Sequence, residues 1–203
     1  MIRNAVILAV TVAVLLPLAA MGQDEHNGEI SLQGMAFFTK SASNVNGTSY
    51  SATQSGGVLG TYRYHFGPNV SAEFAYGFAR NTQKYSLNSA DFRIQSQVHQ
   101  VTLGMVVNVA HPKKFTPYFL VGGGVVAFVP SGNQLNNISG AQTQGKGAFL
   151  YGGGINYPLQ NNFSLRLEYR GLLYGPPNFG FGGLSANSIT HSAEPSIGLS
   201  YRF

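Results

Sequence analysis

The 203-residue sequence predicts an all-β fold, a closed antiparallel transmembrane β-barrel of about eight strands. Two observations lead to this prediction. Apolar and polar residues alternate through most of the chain, which gives each predicted strand one apolar and one polar face. The connections between these strands alternate in length, long and polar after one strand and short after the next. An even number of strands with short turns at one rim and long loops at the other is the layout of barrels that cross a membrane.

The composition and the N-terminal residues are consistent with an exported protein that is embedded in lipid. Charged residues are 9% of the sequence, whereas soluble domains contain about 25%. Residues 1–22 have the basic, apolar and small-residue zones of a secretion signal, and their apolar run is too short to span a bilayer. We expect a cleaved signal peptide over 1–22 and a barrel over 23–203, and loss of Arg3 lowers the net charge from +5 to +4. The absence of cysteine excludes a disulfide framework.

The first predicted strand covers residues 29–38. Its even positions are apolar or glycine, and Ser31 and Gln33 begin the opposite face. Met35 and Phe37 interrupt this polar face. A long polar loop is predicted over residues 40–54 because serine, asparagine and threonine dominate there.

A hairpin is predicted around the turn Gly67-Pro68-Asn69. If Phe66 pairs with Val70, the register places Arg63 directly opposite Glu73. The two opposite charges then lie on the face away from the aromatic side chains of this hairpin.

The segment that follows is harder to interpret. Residues 80–91 predict a second polar loop, and residues 92–109 predict a long strand whose apolar residues change phase. Phe92, Ile94 and Val98 occupy one phase, and the apolar residues from Val101 onwards occupy the other. Either a bulge near His99-Gln100 joins the two phases, or only the part from Val101 is embedded.

Four further strands complete the predicted barrel. The remaining strands are predicted over 117–129, 149–157, 163–170 and about 190–203, with polar loops over 130–146 and 174–188 and a tight turn over 158–162. With these segments the strand count reaches about eight, and the long loops number four.

The cost of exposing charge to lipid decides which face points inward. An arginine on the lipid side at mid-membrane costs about 2 to 4 kcal/mol, and an acidic side chain somewhat less. The charged residues of the strands must therefore face the lumen, where a barrel of about eight strands has room only for side chains. This predicted lumenal ion-pair network contains Arg63, Glu73, Arg166, Glu168, Arg170, Glu194 and Arg202.

The signal segment, the four long loops, the short turns and the closing Tyr201-Arg202-Phe203 resemble the small OmpA-like and opacity-type outer-membrane barrels, which are eight-stranded and porin-like. The resemblance implies a bacterial outer membrane, with the short turns on the periplasmic side and the long loops outside. The apolar residues Ile197, Leu199, Tyr201 and Phe203 resemble the signal by which the barrel assembly machinery recognises its clients. The run from Arg166 to Arg170 resembles the charged plug of such barrels.

Two functional interpretations compete with a purely structural role: a catalytic triad and a narrow pore. His191, Ser192 and Glu194 resemble the Ser/His/Glu triad of lipid A deacylase barrels, but neighbouring strand residues point to opposite faces. We therefore assign no catalytic residue. The charged network could line a narrow pore for small solutes or ions, yet a mutually satisfied plug is the more common arrangement.

Other binding sites are not predicted. No pair of histidines has close ligand spacing, so no metal site is expected. No cofactor is expected either, and the spread of charge gives no sign of nucleic-acid binding. Phe179 and Phe181, among the glycines of the last long loop, either pack within that loop or contact a partner. A soluble lipocalin-like barrel would also alternate, but its interior would be apolar.

The predicted function follows from these expectations. We expect a monomeric Gram-negative outer-membrane barrel, embedded among lipid and lipopolysaccharide, with a structural or surface-interaction role of the adhesin or porin type. An extracellular ligand would bind through the long loops, and the protein would not be an enzyme. A lipid-acting hydrolase and a narrow pore are the alternatives.

Overall fold

The computed structural model describes residues 27–40, 42–43, 49–87, 90–109, 114–131, 142–180 and 189–203. The predicted signal peptide over 1–22 lies outside these residues. Among the described residues, no helix has the length and apolar character needed to cross a membrane. The strands are β1 (Gly28–Thr39), β2 (Ala42–Ser43), β3 (Ser49–Ala52), β4 (Ser55–His65), β5 (Val70–Leu87), β6 (Ala90–Asn108), β7 (Thr116–Pro130), β8 (Gln144–Pro158), β9 (Phe163–Tyr174) and β10 (Thr190–Arg202).

Eight of these strands form a closed antiparallel barrel, which confirms the predicted fold class. Each of β4 to β10 pairs with its neighbour in sequence, and β1 closes the barrel by pairing with both β4 and β10. At this seam Gly28 and Phe203 exchange two backbone hydrogen bonds of 3.0 and 2.8 Å. Since every barrel strand has two neighbours, the backbone groups along the doubly paired part of each strand are satisfied within the sheet, as a lipid environment requires.

The hairpin formed by β4 and β5 has the predicted register. The amide of Phe66 donates to the carbonyl of Val70 at 3.0 Å, and Arg63 lies opposite Glu73. The tight turn predicted over residues 158–162 also forms, between β8 and β9. Asn161 and Asn162 adopt φ values of 50° and 65° there, a region that asparagine tolerates better than most residues.

The β5–β6 hairpin corrects two predictions. Residues 80–91 were expected to be a loop, but β5 and β6 continue as paired strands to Leu87 and Ala90. No bulge occurs near His99-Gln100, because the register is unbroken along the whole pair. Every even position of β6 from 94 to 106 points inward, so Ile94 and Val98 are lumenal apolar residues and the phase never changes.

The exterior of the barrel is apolar along its middle. Leu32, Leu103 and Phe119 expose 70, 63 and 67% of their surface, while the alternate residues of the same strands are buried inside. An apolar exterior around a closed sheet is the reverse of a soluble lipocalin-like barrel, and it is the arrangement that acyl chains require.

The seam between β1 and β10 generates a test of packing. A Cβ added at Gly198 would overlap the carbonyl oxygen of Leu32 and lie 2.5 Å from the Cα of Gln33. We expect Gly198→Ala to lower the free energy of unfolding by about 1–3 kcal/mol, the usual cost of overpacking. The measurement is urea unfolding in detergent micelles, followed by far-UV circular dichroism because the chain lacks tryptophan.

Gly34 provides the matched control on the same seam. Its Cβ would point outward, with no atom within 4 Å, so Gly34→Ala should change the free energy of unfolding by less than about 0.5 kcal/mol. Equal effects of the two substitutions would show that the seam is not closely packed.

Candidate functional site

A buried cluster of ion pairs fills the half of the lumen nearest the short turns. The β4–β5 wall contributes Arg63 and Glu73, and the opposite wall contributes Arg166, Glu168 and Arg170 from alternate positions of β9. Each of these five side chains is at most 4% exposed. The strand period of two aligns the β9 residues on one face, because residues i, i+2 and i+4 of a strand point the same way.

Arg63 connects the two walls. Its Nε donates to Oε2 of Glu73 at 2.5 Å, and its Nη2 donates to Oε2 of Glu168 at 2.8 Å. The ring of Tyr118, from β7, lies 4.2 Å from the guanidinium carbon, and its hydroxyl donates to the same Glu168 oxygen at 2.5 Å. One guanidinium therefore bonds two carboxylates and stacks on an aromatic ring.

Arg170 makes a second connection between the same two walls. Its Nη1 donates to Oε1 of Glu73 at 2.8 Å and to Oε1 of Glu168 at 3.2 Å. Its Nη2 donates to the hydroxyl of Thr102, on β6, at 2.7 Å. Glu168 is thus shared between two arginines and Glu73 among three, because Nη1 of Arg166 also lies 3.8 Å from Oε2 of Glu73. The cluster is therefore a network and not a set of separate pairs.

Arg166 extends the network toward the short-turn rim. It forms an ion pair with Glu29 of β1, and its Nε donates to Oδ1 of Asn156 at 2.9 Å. Its Nη1 donates to the hydroxyl of Thr61 at 3.1 Å. Glu29 also lies 3.2 Å from Nε2 of His65. Four strands, β1, β4, β8 and β9, therefore meet at this level.

An apolar layer closes the half of the lumen nearest the long connections. Inward positions that would be polar in a water-filled channel carry large apolar side chains here, and all of them are at most 2% exposed. The layer includes Phe37, Ile94, Val98, Val126, Phe128, Leu150, Leu172, Tyr174 and Phe179. This layer explains why Phe37 interrupts the polar face of β1, and Met35, which is 5% exposed, packs in the same buried core.

The structure buries Phe179 inside the barrel mouth, which for this loop contact candidate favours packing over contact with a partner. It has no exposed surface, and its ring meets that of Phe128 edge-on at 6.4 Å. The segment that carries it is fixed to β8, since the amide of Asn178 donates to Oε1 of Gln144 at 2.8 Å. The other loop contact candidate, Phe181, lies outside the described residues.

Two further members of the predicted network differ from the other five. Arg202 is exposed at the short-turn rim and not enclosed in the lumen, because β10 ends there. Glu194 is fully buried, and its Oε2 accepts a hydrogen bond from Nε2 of Gln100 at 2.8 Å. Among the described side chains, no arginine or lysine lies within 4.0 Å of the Glu194 carboxylate.

The candidate catalytic residues do not come together. Ser192 points inward and exchanges a 2.7 Å hydrogen bond with the hydroxyl of Tyr174. His191 points outward, where its ring stacks on Tyr151 and its Nε2 lies 2.9 Å from the Tyr151 hydroxyl. Since the wall of the barrel separates the two side chains, His191 cannot take a proton from Ser192 in this arrangement.

Sequence reasoning missed several members of the network. Glu29, Gln100, Thr102 and Tyr118 all face the lumen, and all are at most 7% exposed. The alternation of the strands could have identified them, because each lies an even number of positions from another lumenal residue of the same strand. His99 points outward, and its Nδ1 lies 2.8 Å from the hydroxyl of Tyr76. The described residues contain no group of three side chains that could hold a metal ion.

Comparison with known proteins agrees with this architecture. Residues 6–203 match the family model described as the outer membrane protein beta-barrel domain. No curated protein matches the sequence significantly. Among solved structures, the chain is similar to OprG of Pseudomonas aeruginosa, with 15% identity, a TM-score of 0.59, and coverage of 87% of this chain and 96% of that one.

Two other solved barrels are similar at the level of the fold. Neisserial surface protein A is 15% identical, with a TM-score of 0.58 and coverage of 86% and 97% of the two chains. Ail of Yersinia pestis, solved in complex with the heparin analogue sucrose octasulfate, is 18% identical, with a TM-score of 0.51 and coverage of 87% and 99%.

The shared carboxylate of Glu168 provides a test of the network. Glu168→Gln removes the charge that two arginines contact while keeping the volume of the side chain. We expect the free energy of unfolding to fall by about 3–5 kcal/mol, because breaking a buried pair leaves cations uncompensated. Urea unfolding in detergent micelles measures this change.

Glu194→Gln is the isosteric control. The wild-type carboxylate is equally buried but has no cation within ion-pair distance among the described side chains, so we expect its replacement to cost less than about 1 kcal/mol. Comparable losses in both variants would contradict the network as the stabilising feature.

Proposed function

The chain belongs to the outer membrane protein beta-barrel family, and from this premise we propose that it is a closed, non-conducting barrel with a structural or surface-interaction role. In this proposal the barrel is a monomer in a Gram-negative outer membrane, delivered by the barrel assembly machinery. The apolar residues Ile197, Leu199, Tyr201 and Phe203 would be the signal that this machinery reads. Its interactions would occur at the rim that carries the long connections.

The filling of the lumen is the observation that carries the proposal. The ion-pair network and the apolar layer lie in series along the barrel axis, so a solute would have to displace both. Opening the network requires several charge-assisted hydrogen bonds to break at once, and opening the apolar layer requires Phe179 to leave its site beside Phe128. A lumen of this kind supports a scaffold and not a channel.

The long-connection rim supports a role at the cell surface. There β5 and β6 extend well beyond the apolar band, and β3 pairs with β5 along residues 83–86. Such a projection presents side chains to the exterior at a fixed position above the membrane. We propose that partners of this protein, including an extracellular ligand, contact this rim.

We also propose that the protein performs no chemistry. The separation of His191 from Ser192 by the barrel wall supports this, because a hydrolytic serine needs its base within hydrogen-bond reach. A mass shift of lipid A on expression, abolished by Ser192→Ala, would contradict the proposal and assign a lipid-acting hydrolase.

Planar-bilayer recording tests the closed lumen. We expect the refolded wild type to give no steady conductance, because the network and the apolar layer each block the path. Phe179→Ala should also be silent, since it opens the apolar layer alone. A steady conductance in the wild type that changes in Glu73→Gln or Arg166→Gln would instead assign a narrow pore.

Antibody labelling of intact cells tests the orientation. A short epitope in place of residues 88–89, between β5 and β6, should be labelled on intact cells because this end faces outward in the proposal. The same epitope inserted after Gly67, in a short turn, should be labelled only after the outer membrane is permeabilised. Labelling of the Gly67 insertion on intact cells would reverse the proposed orientation.

A further inference from the structure

The described charges are divided unequally between the inside and the outside of the barrel. The described carboxylate side chains are those of Glu29, Glu73, Glu168 and Glu194, and all four are buried in the lumen. Arginine and lysine occur on both sides of the wall. The exterior therefore carries cations that the lumenal carboxylates cannot reach.

The outer face of the β5–β6 hairpin changes in character along its length. Near the short turns it is apolar, with Leu103 and Val101 on β6 opposite Phe74 and Tyr76 on β5. Next comes a polar aromatic level, where the Tyr76 hydroxyl bonds Nδ1 of His99 at 2.8 Å. The apolar stretch of β5, residues 70–78, has the length of about 9 residues that a tilted strand needs to span a bilayer.

Three exposed cations follow directly beyond this level on the same face. Arg80 comes first, with its guanidinium carbon 5.8 Å from the centre of the Phe78 ring. Lys84 lies four residues further along β5, about 13 Å at the usual strand rise. Arg93 of β6 is its direct cross-strand partner. All three side chains are exposed.

The pairing of Lys84 with Arg93 is unfavourable for an isolated barrel. Directly opposed residues of an antiparallel pair have Cβ atoms about 5 Å apart, and like charges in that position destabilise the sheet. An anion bound between them removes this repulsion. Asp91, two residues from Arg93 along β6, leaves the outer end of the hairpin with a net charge of +2 (three cations and one acid).

We propose that the outer face of the β5–β6 hairpin, at Arg80, Lys84 and Arg93, binds phosphate groups carried by lipids of the outer leaflet. The order of the apolar, aromatic and cationic residues along the hairpin supports a ligand that is part of a lipid. The apolar face meets the acyl chains, the Tyr76–His99 pair lies at their boundary with the headgroups, and the cations follow at the height of the phosphates. This inference uses the outer-membrane assignment but not the closed lumen, so a conducting barrel would leave it intact.

The test compares two forms of one lipid on the folded protein. The barrel, refolded in micelles of an uncharged detergent, is titrated with lipid A that carries its phosphates and with dephosphorylated lipid A. We expect tighter binding of the phosphorylated form. Lys84→Gln and Arg93→Gln should each weaken it about fivefold, because a cation near an anionic surface contributes about 1 kcal/mol.

Lys114→Gln is the matched control, since Lys114 is an exposed lysine at the opposite rim. It should leave the affinity unchanged within about twofold. Equal weakening by Lys84→Gln and Lys114→Gln would overturn the proposal in favour of attraction by net charge alone. Equal binding of dephosphorylated lipid A would also overturn it, as would displacement by inorganic phosphate at the concentration of the bound lipid. Circular dichroism of each variant confirms that the barrel is folded.

Discussion

The structure depends on enclosing charge inside a wall that faces lipid. Three arginines and three carboxylates, contributed by β1, β4, β5 and β9, satisfy one another in the lumen, and the outward positions of the same strands are apolar. This arrangement also selects the strand register. A slip of one residue exchanges the two faces of a strand, and each arginine then moved to the lipid side would cost about 2 to 4 kcal/mol. Buried ion pairs are weak contributors to net stability, but here the alternative registers are much worse.

The lumen has two parts that close it in different ways. The network near the short turns is held by charge-assisted hydrogen bonds with defined directions, whereas the layer near the long connections is held mainly by apolar packing. Phe179 belongs to a connection and not to a strand, yet it completes this layer by packing against Phe128. The segment around it is fixed by Gln144 and Asn178 from two different parts of the chain. A connecting segment thus contributes to the interior of the barrel as well as to its rim.

The strand pattern was predictable where one face is apolar and the other is polar. The β4–β5 hairpin, with Arg63 opposite Glu73, follows from the turn and from the period of two. The prediction failed on β6 because it assumed a lumen that is polar throughout, so the inward Ile94 and Val98 suggested a change of phase. Glu29 was missed for a different reason: its partner Arg166 is 137 positions away in the chain, and only closure of the barrel brings β1 near β9. The burial of Phe179 depends on the path of a connection, which alternation does not specify.

The length of β6 has one more consequence. Ser96 is the first residue of β6 that pairs with β7, so among the described residues positions 90–94 have a neighbouring strand on the β5 side only. Within the described part of the chain, the amide and carbonyl groups along this edge have no strand partner on that side, and such an edge can pair with another extended chain, including the same edge of a second copy. Arg93 lies on this edge. Its charge opposes edge-to-edge pairing with another chain, so it disfavours aggregation through the outer end of the β5–β6 hairpin.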